Sequence, residues 1–198
     1  EVQARATNYA AALLSAGHYQ TRPAFPFSPG METTGMVRAC GAEVTGFRPG
    51  QRAMAIVSHG GMAEYCLAEA SDAFVIPDDM PIEDAGAFPG AYLSSHVALR
   101  WQGRPEAGET LLVLGAAGGV GLAAVDIGKA MGARVIAAAS TAEKLAAAEA
   151  QGADVLVNYR SGSLKEGVMA ATEGRGADLC FDPIGGDLFD EALSSLAW

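Results

Sequence analysis

The apolar run Leu111-Leu112-Val113-Leu114 passes directly into Gly115-Ala116-Ala117-Gly118-Gly119-Val120-Gly121 and then into a helical pattern, and that order restricts what the chain can fold into. It predicts a strand, a phosphate cradle and a helix. Gly115 permits a tight turn out of the strand, Gly118 and Gly119 let backbone N–H groups approach a pyrophosphate, and Gly121 lets the helix pack against the sheet. The positive end of the helix dipole then faces the anion. Glycines also mark ordinary turns between strands and helices, so the loop alone leaves that alternative open.

A dinucleotide fold requires a second strand about 20 residues further on, its end meeting the adenosine ribose. Arg134–Ala139 supplies that strand. An NAD site would place Asp or Glu at its end, but here Ala139-Ser140-Thr141 follows, with Lys144 a turn into the next helix. A carboxylate would repel a ribose 2′-phosphate, whereas a hydroxyl and an ammonium would hold one, so NADPH is the expected cofactor. A second role for Ser140, capping the helix that carries Glu143 while Lys144 is solvated, is compatible with the first.

Strand and helix alternate from residue 111 onward, with strands at 111–114, 134–139, 155–158 and 177–182 and helices at about 119–131, 141–151, 163–173 and 187–196. Gly132, Gly152 and Gly174 stand where helices should stop. Residues 1–98 differ in texture. Short alternating stretches (Gly35–Val37, Arg52–Ile56, Met62–Leu67, Phe74–Ile76) are broken by prolines and glycines, which predicts a small irregular β-rich domain. Ile82–Arg100 reads as a bridging helix interrupted near Pro89-Gly90. The expected fold class is therefore α/β, with a β-rich domain over 1–98 and a doubly wound parallel sheet over 99–198.

A formal charge of −10 argues against nucleic acid and anionic membrane as partners. No apolar run approaches a membrane span. Cys40, Cys66 and Cys180 are widely separated and odd in number, which points to buried thiols in a reducing, cytoplasmic setting. The chain starts without Met and stops at Trp198, where a doubly wound sheet would continue, so both ends are expected to be truncated.

Ordered matches then accumulate: Asn8-Tyr9-Ala10, Gly17-His18-Tyr19-Gln20, Pro29-Gly30-Met31-Glu32, Val44–Ala53, Gly61–Tyr65, Ala91-Tyr92-Leu93-Ser94, the Gly115–Gly121 loop, Asn158-Tyr159-Arg160 and Phe181–Gly186. Together they resemble the medium-chain dehydrogenase/reductase superfamily, in particular its zinc-free quinone oxidoreductase branch, which includes the zeta-crystallins. The resemblance implies a partial GroES-like domain followed by a partial Rossmann domain. It implies cofactor contacts from Ser94, the loop Gly115, Ala116, Ala117, Gly118, Gly119, Val120 and Gly121, Ser140, Lys144, Tyr159 and Gly185. It places Tyr19 in the substrate cleft, as the counterpart of a proposed proton donor in enoyl thioester reductases, and Asn8 as a substrate-orienting or capping residue. A homo-oligomer, expected to be a dimer, is also implied.

Zinc-dependent relatives carry Gly-His-Glu where this chain has Gly30-Met31-Glu32, and a cysteine where it has Asn8. A thioether and an amide oxygen are poor zinc ligands, so no metal is expected. Without a Lewis acid the acceptor must itself be electrophilic, which suits a quinone or an α,β-unsaturated carbonyl. An enoyl thioester reductase and a non-catalytic NADPH-binding or structural protein are the alternatives. Three departures from the family pattern stand out: Ala11 where Asp is common, Asp126 where Gln is usual, and Gly90 where Val is commoner after Pro89. Asp126 is expected to face solvent, and Gly90 to loosen a wall near the nicotinamide.

Overall fold

The computed structural model describes residues 1–198 and begins with an antiparallel sheet where the β-rich texture is expected. Strands β1 (Val2–Ala4), β2 (Glu32–Met36), β3 (Arg52–Ile56) and β4 (Ala73–Val75) pair in the order β1-β2-β3-β4. Glu32 stands opposite Ile56 and Thr34 opposite Met54. Between β1 and β2, helix α1 (Tyr9–Ser15) buries Ala11 and Leu14. One expected strand is missing, because Met62–Leu67 forms no ladder. Its alternation is real, but the adjoining backbone is used in a tight loop. There Gly60, Gly61 and Met62 donate their N–H groups to the carbonyls of Ser28, Gly30 and Pro29.

Helix α2 (Ile82–His96) continues through Pro89, where an interruption is expected from sequence. Proline inside a helix removes a donor and costs roughly 3 kcal/mol. The acceptor left without that donor is the Ala85 carbonyl, and the buried Thr34 hydroxyl donates to it at 2.9 Å. A strand side chain thus replaces the lost bond. After His96 the helix widens into a π-helical segment, Val97–Gly103, at the place where the domain boundary near residue 98 is expected. By compactness the chain divides into Glu1–Gly90 and Ala91–Trp198.

In the second unit β5 (Thr110–Leu114), β6 (Arg134–Ala139), β7 (Val155–Asn158) and β8 (Leu179–Phe181) form a parallel sheet in the order β7-β6-β5-β8. Helices α3 (Gly119–Ala130), α4 (Ala142–Ala150), α5 (Leu164–Ala171) and α6 (Asp187–Leu193) alternate with these strands. Side chains alternate across the sheet. Leu111, Val113, Val135 and Ala137 pack with Ala124 and Ala148 on one face, and Leu112, Leu114, Ile136 and Ala138 pack with Leu164 and Val168 on the other. Leu112 is fully buried, and truncating it to Ala would cost about 2–5 kcal/mol. A Cβ on Gly128 would lie 2.7 Å from Leu111 Cδ2, so α3 sits on the sheet at a distance no other residue allows without displacement. No helix of the structure is long and apolar enough to cross a membrane.

Candidate active site

Strand order reverses between β5 and β8, and open α/β sheets bind ligands at the carboxyl ends of their strands at such a reversal. The register aligns those ends: Leu114 stands beside Ala138, Ala139 beside Asn158, and Val113 beside Phe181. Gly115, Ser140, Tyr159 and the turn bearing Gly185 therefore emerge along one edge of the sheet.

The loop is a turn closed by the Gly118 N–H on the Gly115 carbonyl at 2.9 Å. Ala116 donates its N–H to Ala138 across the strands, and its side chain is fully buried. Gly115 has φ +57°, in the left-handed region that glycine enters readily. A Cβ on Gly121 would lie 2.2 Å from the Gly115 carbonyl oxygen, so the protein itself requires glycine there. Gly118 differs. Its nearest obstacle to a Cβ is 3.4 Å away, and Gly119 would meet only Ala91 Cβ at 3.9 Å. Nothing in the fold demands glycine at these two positions, and open space lies over them. No side chain caps α3, so its first N–H groups, from Gly119, Val120 and Gly121, suit an anion.

At the end of β6 the Lys144 ammonium donates to the Ser140 hydroxyl at 3.3 Å. The helix cap is Thr141, whose hydroxyl accepts from the Lys144 N–H, so Ser140 does not hold the capping role considered from sequence. Tyr159 follows β7, half-buried, its ring packed against the core and its N–H on the Ala139 carbonyl at 3.3 Å. The Asp182 carboxylate accepts from the N–H groups of Ile184 and Gly185 at 2.8 and 2.9 Å, which shapes the glycine turn. Ile184 then covers Gly115, where a Cβ would meet its Cδ1 at 2.9 Å.

Ser94 lies exposed on α2. Its neighbour Ser95 is fully buried and donates to the Val120 carbonyl at 2.7 Å, tying α2 to the start of α3. Tyr92 adds a second tie, donating to Asp126 at 2.8 Å. Burial, followed by the hydrogen bond to Asp126 and its charge, pushes the Tyr92 phenol up to about 12. Asp126 therefore holds a partner and does not simply face solvent. Neither tie is evident from sequence, since each joins residues on different helices.

In the first unit, the two candidates for chemistry flank α1. Asn8 is its N-cap, with Oδ1 accepting from the Ala11 N–H at 2.8 Å. At the other end Gly17, at φ +72°, donates to Leu14, and His18 donates to Leu13, a Schellman stop that delivers half-buried Tyr19 just beyond. Glu32, quoted in a sequence motif but not singled out there for a role, is nearly fully buried. Its Oε1 accepts from Asn8 Nδ2 at 3.0 Å and its Oε2 from the Gly90 N–H at 2.7 Å. A carboxylate at the head of a buried strand was the available signal.

Two family models match this chain. One described as an alcohol dehydrogenase GroES-like domain covers residues 1–78, and one described as a zinc-binding dehydrogenase covers residues 119–198. Quinone oxidoreductase-like protein 2 of Rattus norvegicus is 38% identical over 192 residues, which is 96% of this chain and 55% of the relative. The chain thus spans about half the length of the curated relatives it matches. Quinone oxidoreductase from Thermus thermophilus, solved also in complex with NADPH, superposes with a TM-score of 0.84 at 37% identity, covering 99% of this chain and 60% of that one. CurK enoyl reductase superposes with a TM-score of 0.89 at 26% identity, covering 100% and 61%.

Proposed function

We infer the function from membership: the chain belongs to the medium-chain dehydrogenase/reductase superfamily, with a GroES-like part and a Rossmann part. We propose that it comes from an NADPH-dependent reductase of quinones or α,β-unsaturated carbonyls that works without zinc, as a cytoplasmic homo-oligomer. The observation that carries the cofactor choice is the Ser140–Lys144 pair at the end of β6, a hydroxyl and an ammonium where an NAD site would place a carboxylate at the strand's end. NADPH, when bound, supplies a hydride to the acceptor, which takes up one proton to balance it.

The chain's own residues hold and orient. Backbone N–H groups of Gly119, Val120 and Gly121 receive the pyrophosphate, and Lys144 and Ser140 take the 2′-phosphate with Tyr159 beside them. The fit rests on Gly118 and Gly119, whose missing Cβ atoms leave room that the protein itself does not fill. Gly185 and Ser94 are assigned to the nicotinamide end. Asn8 offers an amide hydrogen to the acceptor's oxygen, and the Tyr19 phenol is assigned as proton donor.

Zinc, named in the description of one matching family model, does not fit these residues. Asn8 is committed to Ala11 and Glu32, Met31 offers only a thioether, and no three His, Cys, Asp or Glu side chains converge. The enoyl thioester reading keeps support from the likeness to CurK enoyl reductase. A substrate panel separates the two. Full-length protein oxidising NADPH faster with 1,4-benzoquinone or trans-2-hexenal than with crotonyl-CoA supports the proposal, and the reverse order selects the thioester reductase. NADPH binding without turnover of any of the three would leave a cofactor-binding protein.

A further inference from the structure

We propose that Glu32 is a positioning residue, which fixes the Asn8 amide as a donor toward the acceptor's oxygen, and that Gly90 makes room for its carboxylate. The assignment rests on the reductase function proposed above and deepens it. Glu32 is 3% exposed, and none of the chain's ion pairs includes it. A carboxylate so buried is disfavoured unless its hydrogen bonds repay the lost water, and its two donors are the Asn8 side chain and the Gly90 backbone.

Two glycines lie along the backbone at Glu32 and a third against its carboxylate. A Cβ on Gly30 would lie 2.6 Å from Met62 N, and one on Gly61 would lie 2.6 Å from the Glu32 carbonyl oxygen, so the backbone before and at Glu32 is pressed against the 61–62 segment. On Gly90 a Cβ would lie 2.9 and 3.0 Å from the two carboxylate oxygens. The space opened by Gly90, expected from sequence to loosen a wall near the cofactor, is filled here by Glu32.

Asn8 has two ends that differ only in hydrogen bonding. Capping α1 requires Oδ1 to face the Ala11 N–H, and the Glu32 carboxylate oxygen, which accepts, requires Nδ2 to face it. Both demands select one orientation of the amide, which leaves one Nδ2 hydrogen for a substrate oxygen. Asp or Ser would cap the helix equally well, and Thr somewhat less so. None of them suits the second demand as Asn does, because Asp would set a like charge beside Glu32 and the hydroxyls are shorter and offer a single hydrogen.

The test uses full-length protein with NADPH and 1,4-benzoquinone. Glu32→Gln keeps size but presents an amide to two donors. It should lower kcat/KM for the quinone about tenfold or more while the KM for NADPH stays within about twofold. Asn8→Ala should fall as far, and the double variant no further than Asn8→Ala, since residues acting through one another do not add. Losses that multiply, or a rise in NADPH KM in step with the fall, overturn the proposal. A readout independent of turnover is the Asn8 side-chain amide in nitrogen–proton correlation spectra. Its two hydrogens should be widely split in the parent protein and converge in Glu32→Gln. An unchanged splitting overturns the proposal even in an active enzyme, whereas convergence in a protein that reduces nothing supports the clamp and removes the reductase function instead. If Glu32→Gln does not fold, Glu32→Asp, which withdraws the carboxylate by one methylene, carries the same expectations.

Discussion

Thr34 donates its hydroxyl to the Ala85 carbonyl, the acceptor that Pro89 leaves without a helical donor. Thr34→Val keeps the shape and removes the bond. A buried acceptor left unsatisfied costs about 1–3 kcal/mol, so urea unfolding of the full-length protein should shift by that amount. No shift would mean that another group satisfies Ala85 equally well.

Gly118 and Gly121 lie in one loop but answer to different constraints. Gly118→Ala meets no protein atom closer than 3.4 Å, so the protein should fold with near-parental stability and lose NADPH affinity, by about tenfold for a loss of ~1.4 kcal/mol. Gly121→Ala drives a methyl onto the Gly115 carbonyl and should lower both melting temperature and affinity. Thermal melting and NADPH fluorescence titration separate the two. Parental affinity in Gly118→Ala would remove the loop from the cofactor site.

Lys144→Ala should weaken NADPH while leaving NADH nearly unchanged. A hydrogen bond to a charged group is worth about 1.5–3 kcal/mol, which corresponds to roughly a tenfold to hundredfold loss specific to NADPH. Equal effects on both cofactors would show that Lys144 does not reach the 2′-phosphate.

Acid stability should depend on Asp178. The hydrogen bond from Arg175, aided by the Thr110 N–H and the Arg175 charge, outweighs burial and holds its carboxyl down to about 2, below the ordinary 3.8. A carboxyl lowered in the folded state adds stability that is full above 3.8 and lost as pH falls through about 2. The stability difference between parent and Asp178→Asn should thus be largest near neutral pH and fade across that window. A difference constant with pH would mean that the ion pair contributes nothing.

The βα half was the more legible in sequence. Arg134–Ala139 and Val155–Asn158 have the bounds expected, because strands covered on both faces leave near-continuous apolar runs, and Gly132, Gly152 and Gly174 end helices at positive φ. The β-rich half was less so. Met62–Leu67 alternates like a strand, but the close approach of Gly61 to Gly30 places that backbone in a loop, and such proximity between distant glycines leaves no local pattern. The positions proposed to hold the cofactor lie on short consecutive motifs and so were visible in the sequence. The role of Glu32 was not, since it depends on Asn8 and on Gly90, the latter 58 positions along the chain.

The most direct test of the account is steady-state oxidation of NADPH and of NADH by full-length protein with 1,4-benzoquinone, before and after exhaustive treatment with a zinc chelator. The predicted result is turnover that favours NADPH and is undiminished by the chelator. Loss of activity on chelation that added zinc restores, or a preference for NADH, would contradict it.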